Sequence, residues 1–281
     1  MDLQHLREWI GRIERRTDEV AAMPIAAMSA TLDRDDAEPL PGDDVPHLWH
    51  WLNFTPRTPQ SEIGVDGHAK LGGFLPPVPL PRRMWVGGRL VFEHPLQIGD
   101  EITRLSRIVS VELKEGRSGV LVFVTVRHEI TNARGLAIIE EQDIVYRDTP
   151  LPSAPVAAQQ TAPSDAGFER HIVPDPVLLF RYSALTFNGH RIHYDRGYVT
   201  DVEGYPGLIV HGPLIATLLL DLLKRERPDA QIRRFEFKGV SPLFDLHPFA
   251  VCGRADDQRR IALWARNHEG RLAMQATAEL I

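Results

Sequence analysis

The chain has 281 residues, of which 43% are hydrophobic and 25% charged, and its formal net charge is -6. This is the balance of a globular protein with one large domain or two of ordinary size, and the scattered Lys and Arg residues do not form the basic face that a duplex-binding protein needs. Cys252 is the single cysteine, so no intrachain disulfide can form, and its neighbours Phe249, Ala250 and Val251 mark it as a small core residue. The first residues carry neither a basic n-region nor an apolar h-region, and the longest apolar run, 214–220, is too short for a bilayer. The expectation is a cytoplasmic protein with no membrane or nucleic-acid partner.

In chain order, Leu3, Leu6, Ile10, Ile13 and Val20 recur at helical spacing and predict a helix over 3–20. Residues 30–81 are rich in Pro, Gly and Asp and predict long ordered loops around an aromatic island at 47–54. Strands follow over 84–92, 101–113, 120–131 and 136–146, with turns at 116–119 and 132–135. The aperiodic Pro/Ala/Gln/Ser stretch at 151–164 reads as a linker between an N-terminal unit, 1–150, and a C-terminal unit, 165–281. The second unit opens with a strand-like stretch over 178–187. A helix over 212–227 then places Leu214, Ile215, Leu218, Leu219, Leu222 and Leu223 on one face, with Pro213 in its first turn and Pro228 ending it. Strands return over 233–240, 249–255, 261–266 and 272–280.

The two units echo each other. Arg82-Arg83-Met84-Trp85-Val86 matches Arg233-Arg234-Phe235-Glu236-Phe237, and Pro95-Leu96 matches Pro242-Leu243. The last hairpins turn at Asn132-Ala133-Arg134-Gly135 and Asn267-His268-Glu269-Gly270, and each unit ends on a strand. Correspondences in the same order indicate duplication. A widely apolar helix followed by antiparallel strands is an α+β arrangement in which a curved sheet wraps the helix. The predicted fold is therefore a double hotdog: two antiparallel sheets, with a long central helix in the second half that is shortened or lost in the first.

Chemistry concentrates in Asn188-Gly189-His190-Arg191-Ile192-His193-Tyr194-Asp195, which sets an amide, two imidazoles, a guanidinium, a phenol and a carboxylate in one short run. Such a run can be a solvated loop, but Gly204-Tyr205-Pro206-Gly207-Leu208-Ile209-Val210-His211-Gly212 then feeds into the apolar helix. A helix N-terminus presents free N–H groups suited to a developing oxyanion. The run 183–195, with Ile209-Val210-His211-Gly212-Pro213-Leu214, resembles the MaoC-like hydratases, in the branch of mesaconyl-C4-CoA and itaconyl-CoA hydratases and mitochondrial 3-hydroxyacyl-thioester dehydratases. Leu80-Pro81-Arg82-Arg83-Met84-Trp85-Val86-Gly87-Gly88 and Glu140-Glu141-Gln142-Asp143-Ile144-Val145-Tyr146 carry the likeness into the first half.

The resemblance implies reversible water addition to an enoyl-CoA, on a C5-dicarboxyl-CoA or, alternatively, on straight-chain 3-hydroxyacyl thioesters. CoA belongs to the substrate, and no metal or redox cofactor is implied. Laid on the family's Asp-x-Asn-Pro-aliphatic-His motif, His193 takes the catalytic histidine position and Asn188 the aspartate position. An amide can hold water but cannot take its proton, so His193 is the main acid/base group and the second group is open. Gly212 offers the oxyanion N–H. Arg191, Asp195 and His211 are candidates for substrate contact, each with a structural alternative: a surface cation, a turn cap, and an orienting side chain. Arg82 and Arg83 read as a surface pair at a strand end, and Trp85 as core. Asn188 also leaves open a non-catalytic acyl-thioester-binding protein. Hotdog sheets pair in dimers, so a homodimer is the expected assembly, unless the duplication already supplies that pairing.

Overall fold

Alternating β-branched, aromatic and polar residues carry most of the chain into strands, and two of the sequence expectations yield, one to tertiary pairing and one to a helix cap. The computed structural model describes residues 3–116, 119–148 and 159–281. The predicted turn at 116–119 and the linker at 151–164 therefore lie partly outside the described residues. The helix expected over 3–20 is only α1 (Leu3–Arg7); Gly11 at φ 88° turns the chain, and β1 (Ile13–Glu19) follows. The apparent helical spacing loses to a ladder that pairs β1, from Ile13↔Arg107 to Glu19↔Glu101, with β3 (Glu101–Gly116). α2 (Ala22–Thr31) comes next.

The first half continues with β2 (Arg82–Phe92), β3, β4 (Gly119–Asn132) and β5 (Gly135–Arg147). The second half opens on β6 (Phe168–Ile172) and α3 (Pro176–Leu185). The apolar stretch expected as a strand over 178–187 is thus helical. Asp175 accepts hydrogen bonds from the amides of Val177 (2.8 Å) and Leu178 (2.9 Å), and Pro176 sits in the first turn, which together start a helix. α4 (Gly212–Glu226) leads into β7 (Ile232–Gly239), β8 (Phe249–Ala255), β9 (Arg260–Arg266) and β10 (Leu272–Leu280).

The strands form one ten-stranded sheet in the order β1-β3-β4-β5-β2-β7-β10-β9-β8-β6. Read outward from its centre, both sides repeat one plan: β2, β5, β4, β3, β1 on one side and β7, β10, β9, β8, β6 on the other. The two sheets of the double hotdog therefore merge along an antiparallel seam from Gly87↔Lys238 to Val91↔Arg234. A Cβ on Gly87 would come within 2.7 Å of the Phe237 carbonyl oxygen, so the seam closes only with glycine there.

The halves differ in what fills the concave face. In the second half α4 packs on β6, β8, β9 and β10, with Leu214, Leu218, Leu219, Leu222 and Leu223 buried. Its buried Asp221 is held by Arg170 (2.9 Å) and Arg225 (2.7 Å), with Arg34 on the other oxygen, so the charge is paired. In the first half residues 32–81 contain only the 3-10 turns Trp49–Leu52 and Gln60–Glu62, and no counterpart of α4 occurs among the described residues. At the described end of the linker, Ala162 is buried and its N–H donates to the Gly270 carbonyl (3.0 Å). Among the described residues no helix is long and apolar enough to cross a membrane.

Candidate active site

The space that a first-half helix would occupy is a cleft of about 1030 Å³. Arg104, Ile130, Glu140 and Gln142 of the first-half sheet form one wall, and Ser183, Asn188, Gly189, Arg191 and Pro213 of the second half form another. Arg83 and Trp85 of β2 and Gly67 and His68 of a first-half loop complete it. The volume lies at the upper end of ligand sites, roughly 300–1,000 Å³.

The second-half wall is built by chain reversal. Phe187, at φ 51°, turns the chain out of α3, and the Asn188 N–H donates back to the Ser183 carbonyl (2.8 Å). The Asn188 Oδ1 accepts the His190 N–H (3.0 Å), and Asn188 lines the cleft. The 3-10 turn Arg191–His193 then buries His193, which is 7% exposed. Its Nδ1 lies 2.7 Å from the Ile209 carbonyl oxygen. A carbonyl only accepts, so Nδ1 carries the proton and Nε2 the lone pair. Burial pushes the His193 pKa down to about 4, against the raising effect of that hydrogen bond, so the ring is neutral at pH 7.

His193 is set back from the cleft wall. Its ring stacks on His211, with centroids 3.6 Å apart and 17° between planes, and His190 stands edge-on to it at 5.5 Å. The His211 Nε2 meets the Ser183 hydroxyl at 2.8 Å, and burial holds His211 neutral as well. Gly212 opens α4 directly behind His211, and its N–H lies in the first turn, where no intrahelical acceptor exists. Trp85 covers this helix start: a Cβ on Gly212 would meet the Trp85 carbonyl oxygen at 3.6 Å, an ordinary contact.

Two of the candidates bind each other. Arg191 donates through Nε (3.0 Å) and Nη2 (2.8 Å) to Asp195, through Nη1 to the Val65 carbonyl (3.0 Å), and stacks over Tyr198 at 4.2 Å. Asp195 also accepts the Tyr198 N–H (3.0 Å), which with Arg191 lowers its pKa. Its oxygens thus cap the π-helical turn Tyr198–Val202 and pair with Arg191.

Other cleft residues come from the first half, and among them Asp66 and His68 were not singled out from the sequence. His68 lies against His190, with ring centroids 4.0 Å apart. Asp66 accepts both the His68 N–H (3.0 Å) and its ring Nδ1–H (2.8 Å). Burial opposes the Asp66 carboxylate, but these bonds outweigh it and hold its pKa low; burial likewise lowers that of His68. Ligand atoms of Asp66, His68 and His190 lie within 4.8 Å of one another, close enough for one cation. Their loop clasps the second half: the Arg191 N–H donates to the Asp66 carbonyl (2.9 Å), and a Cβ on Gly67 would fall 1.8 Å from the Gly189 oxygen. Deeper in, Glu140 accepts from Trp51 Nε1 (2.9 Å) and Gln142 (2.9 Å) and meets His50 Nε2 at 3.0 Å; burial opposes its charge, but His50 and its other partners hold the pKa down to about 2. Arg82 pairs with Glu203 (3.1 Å), whereas Arg83 and Arg104 have no ion pair among the described residues, and the Arg104 Nε is buried without a hydrogen-bond partner. Burial lowers the Arg104 pKa, and its guanidinium stacks over Phe54 at 4.8 Å. The only sequence signal for Asp66 and His68 was a carboxylate and an imidazole flanking a glycine in a loop.

Comparison with known proteins gives one picture. The family model for hydroxyacyl-thioester dehydratase type 2 matches residues 48–245. The chain is 48% identical over 275 residues to the mesaconyl-C(4)-CoA hydratase of Chloroflexus aurantiacus, covering 97% of this chain and 96% of the relative. It is 31% identical over 232 residues to the mitochondrial hydroxyacyl-thioester dehydratase type 2 of Schizosaccharomyces pombe, covering 73% and 76%. Among solved structures, a MaoC-like dehydratase from Phytophthora capsici aligns with a TM-score of 0.73 at 12% identity, covering 100% and 98%. A Mycobacterium tuberculosis protein described as a double hotdog aligns with a TM-score of 0.60 at 13% identity, covering 97% and 96%. At such identities these structures speak for the fold alone.

Proposed function

The chain belongs to the hydroxyacyl-thioester dehydratase type 2 family of MaoC-like hydratases, and from that premise we propose that it adds water reversibly to the double bond of a C5-dicarboxyl enoyl-CoA, of the mesaconyl-C4-CoA or itaconyl-CoA kind. It is an enzyme, a carbon–oxygen lyase of the hydratase type. The observation that carries the substrate class is the arginine pair in the cleft. Arg83 and Arg104 line it without a carboxylate partner among the described residues. A half-buried guanidinium gains nothing from an alkyl tail, whereas a substrate carboxylate pairs its charge and adds charge-assisted hydrogen bonds. The name of the Chloroflexus aurantiacus relative points the same way. The second reading, dehydration of straight-chain 3-hydroxyacyl thioesters, is favoured by the family description and the Schizosaccharomyces pombe relative.

In this mechanism the Gly212 N–H donates to the thioester oxygen and holds the enolate charge that develops there. Asn188 holds the water at the wall, and the His193 Nε2, left free by the Ile209 bond, takes its proton as oxygen bonds to the β-carbon. A proton returns to the α-carbon, and dehydration reverses each step. CoA arrives on the substrate, and the reaction as written uses no metal or redox group. Arg191 and Asp195 act by holding the loop in shape. His211 orients His193 by stacking. A cytoplasmic setting is in keeping with the free, buried Cys252, and a homodimer is the assembly we expect of hotdog sheets.

The test is hydration of mesaconyl-C4-CoA, itaconyl-CoA and crotonyl-CoA by the wild type and by His193→Ala. Loss of a general base is worth about 10²–10⁴-fold, so the variant is expected to lose at least 10²-fold in kcat. A wild type inactive on every enoyl thioester overturns the enzymatic reading and leaves a thioester-binding protein. Equal activity on all three substrates overturns the dicarboxyl assignment.

A further inference from the structure

We propose that His68, oriented by Asp66, is the second acid–base group of the reaction, so that the carboxylate absent at Asn188 is supplied to the site from the other half of the chain. The inference rests on the hydratase reading above and addresses what that reading leaves open. Water addition needs one group to take a proton from water and one to deliver a proton to the α-carbon. Asn188 can do neither, and its oxygen already accepts the His190 N–H.

Three observations single out His68. First, it stands in the cleft wall, where it can meet the α-carbon, whereas His193 lies one layer behind and reaches the substrate only through the water that Asn188 holds. Second, its tautomer is fixed: a carboxylate only accepts, so the Nδ1 at 2.8 Å from Asp66 carries the proton and Nε2 holds the lone pair. A carboxylate behind an imidazole stabilises the imidazolium it becomes, the logic of an acid–base dyad. Among the described residues His193 has only the Ile209 carbonyl for that purpose. Third, the loop is locked to the motif it serves. The Arg191 N–H and Nη1 donate to the carbonyls of Asp66 and Val65, and Gly67 lies where no side chain fits against Gly189.

His190 neighbours both rings, at 4.0 Å from His68 and 5.5 Å from His193. The steps balance. The water oxygen bonds to the β-carbon and its proton goes to His193 Nε2, while the alkene electron pair moves toward the α-carbon and thioester oxygen. The proton passes along the imidazoles to His68, where Asp66 holds it best, and His68 gives it to the α-carbon. Every group then has its starting proton count. In dehydration His68 takes the α-proton. Asp66 is a positioning residue and His68 the group that meets substrate.

The test uses the intact chain with His68→Gln, Asp66→Asn and His193→Ala. His68→Gln is expected to lose 10²–10³-fold in kcat, while its Kd for the unreactive succinyl-CoA stays within threefold of wild type. In His68→Ala, added imidazole is expected to restore part of the rate. The charged and titratable groups facing His68 are Asp66 on its own loop, Arg83 on β2, and His190 and His193 on the motif loop. Removing the Asp66 charge lowers the His68 pKa, so the acid limb of kcat in Asp66→Asn should move to lower pH. A His68→Gln enzyme within threefold of wild-type kcat, with His193→Ala inactive, overturns this inference and leaves the hydratase reading intact. So does a fall in kcat with no movement of the Asp66→Asn acid limb and no imidazole rescue, the mark of a structural role. Activity lost to a chelator and restored by zinc or manganese also overturns it, by making the cluster a metal site. A wild type inactive on all enoyl thioesters overturns both.

Discussion

The two halves of this chain share one strand plan and use it in opposite ways. The second half wraps its sheet around α4, and the apolar face of that helix fills the concavity with Leu214, Leu218, Leu219, Leu222 and Leu223. The first half leaves the equivalent space open and borders it with Arg104, Glu140 and Gln142. One copy adds a packed helix and its N-terminus, and the other, whose strands keep a core of their own at Ile108, Val122, Val124 and Tyr146, adds volume and charge. A cleft of this size needs a sheet that has given up its helix, and such a sheet is tolerable when its neighbour retains a full core.

That contrast can be broken most sharply in the cores. Leu219→Ala, at a fully buried position in α4, is expected to cost about 2–5 kcal/mol in chemical unfolding, whereas Ile63→Ala in the first-half cleft wall should cost under about 1 kcal/mol. Equal losses would mean that the cleft wall at Ile63 is packed as tightly as α4. The helix start comes next. Gly212→Pro removes the proposed oxyanion donor at a position where proline suits a helix, and His211, at φ -59° and ψ 129°, already has the conformation that a following proline requires. The expected loss is about 10²–10³-fold in kcat, against a few-fold at most for Gly212→Ala, which keeps the N–H. On the first-half side, Arg83→Met should cost mesaconyl-C4-CoA about 10–100-fold in kcat/KM relative to crotonyl-CoA, the worth of one charge-assisted hydrogen bond. An unchanged ratio would move carboxylate recognition elsewhere.

Acid should affect both halves alike. Burial holds His47 and His128 in the first half and His193 in the second down to about 4. Their folded-state values lie below the ordinary 6.5, so the unfolded chain binds protons first as pH falls. Stability is then expected to drop by about 1 kcal/mol per such histidine per pH unit between roughly pH 6.5 and 4. Melting curves from pH 7 to 5 read this directly, and a flat response would mean that the rings are hydrated.

Much of this architecture is legible in local pattern. Alternation marks β2–β5 and β7–β10, and the Leu spacing marks α4 with its proline boundaries. What fails is decided at a distance or by a single cap. The Leu3–Val20 spacing imitates a helix, but Glu14–Asp18 find their partners on β3, far along the chain. The run 178–187 is apolar enough for a strand, and Asp175 decides for the helix. In the site, the dense polar run and the helix start were visible because each is contiguous. The Asp66–His68 pair was not, because a loop of the first half meets residues 189–191 only through the fold. Arg83 read as a surface cation because nothing local says that β2 faces a cleft.

The seam between β2 and β7 has a further consequence. In a symmetric dimer of single units, every substitution is written twice, so a helix deleted from one subunit is deleted from both. Carrying both copies in one polypeptide makes the pairing at the Gly87 seam intramolecular and frees each copy to vary alone. One active site per chain is then the result of broken symmetry: a specialised pair of halves that no homodimer of either half could reproduce.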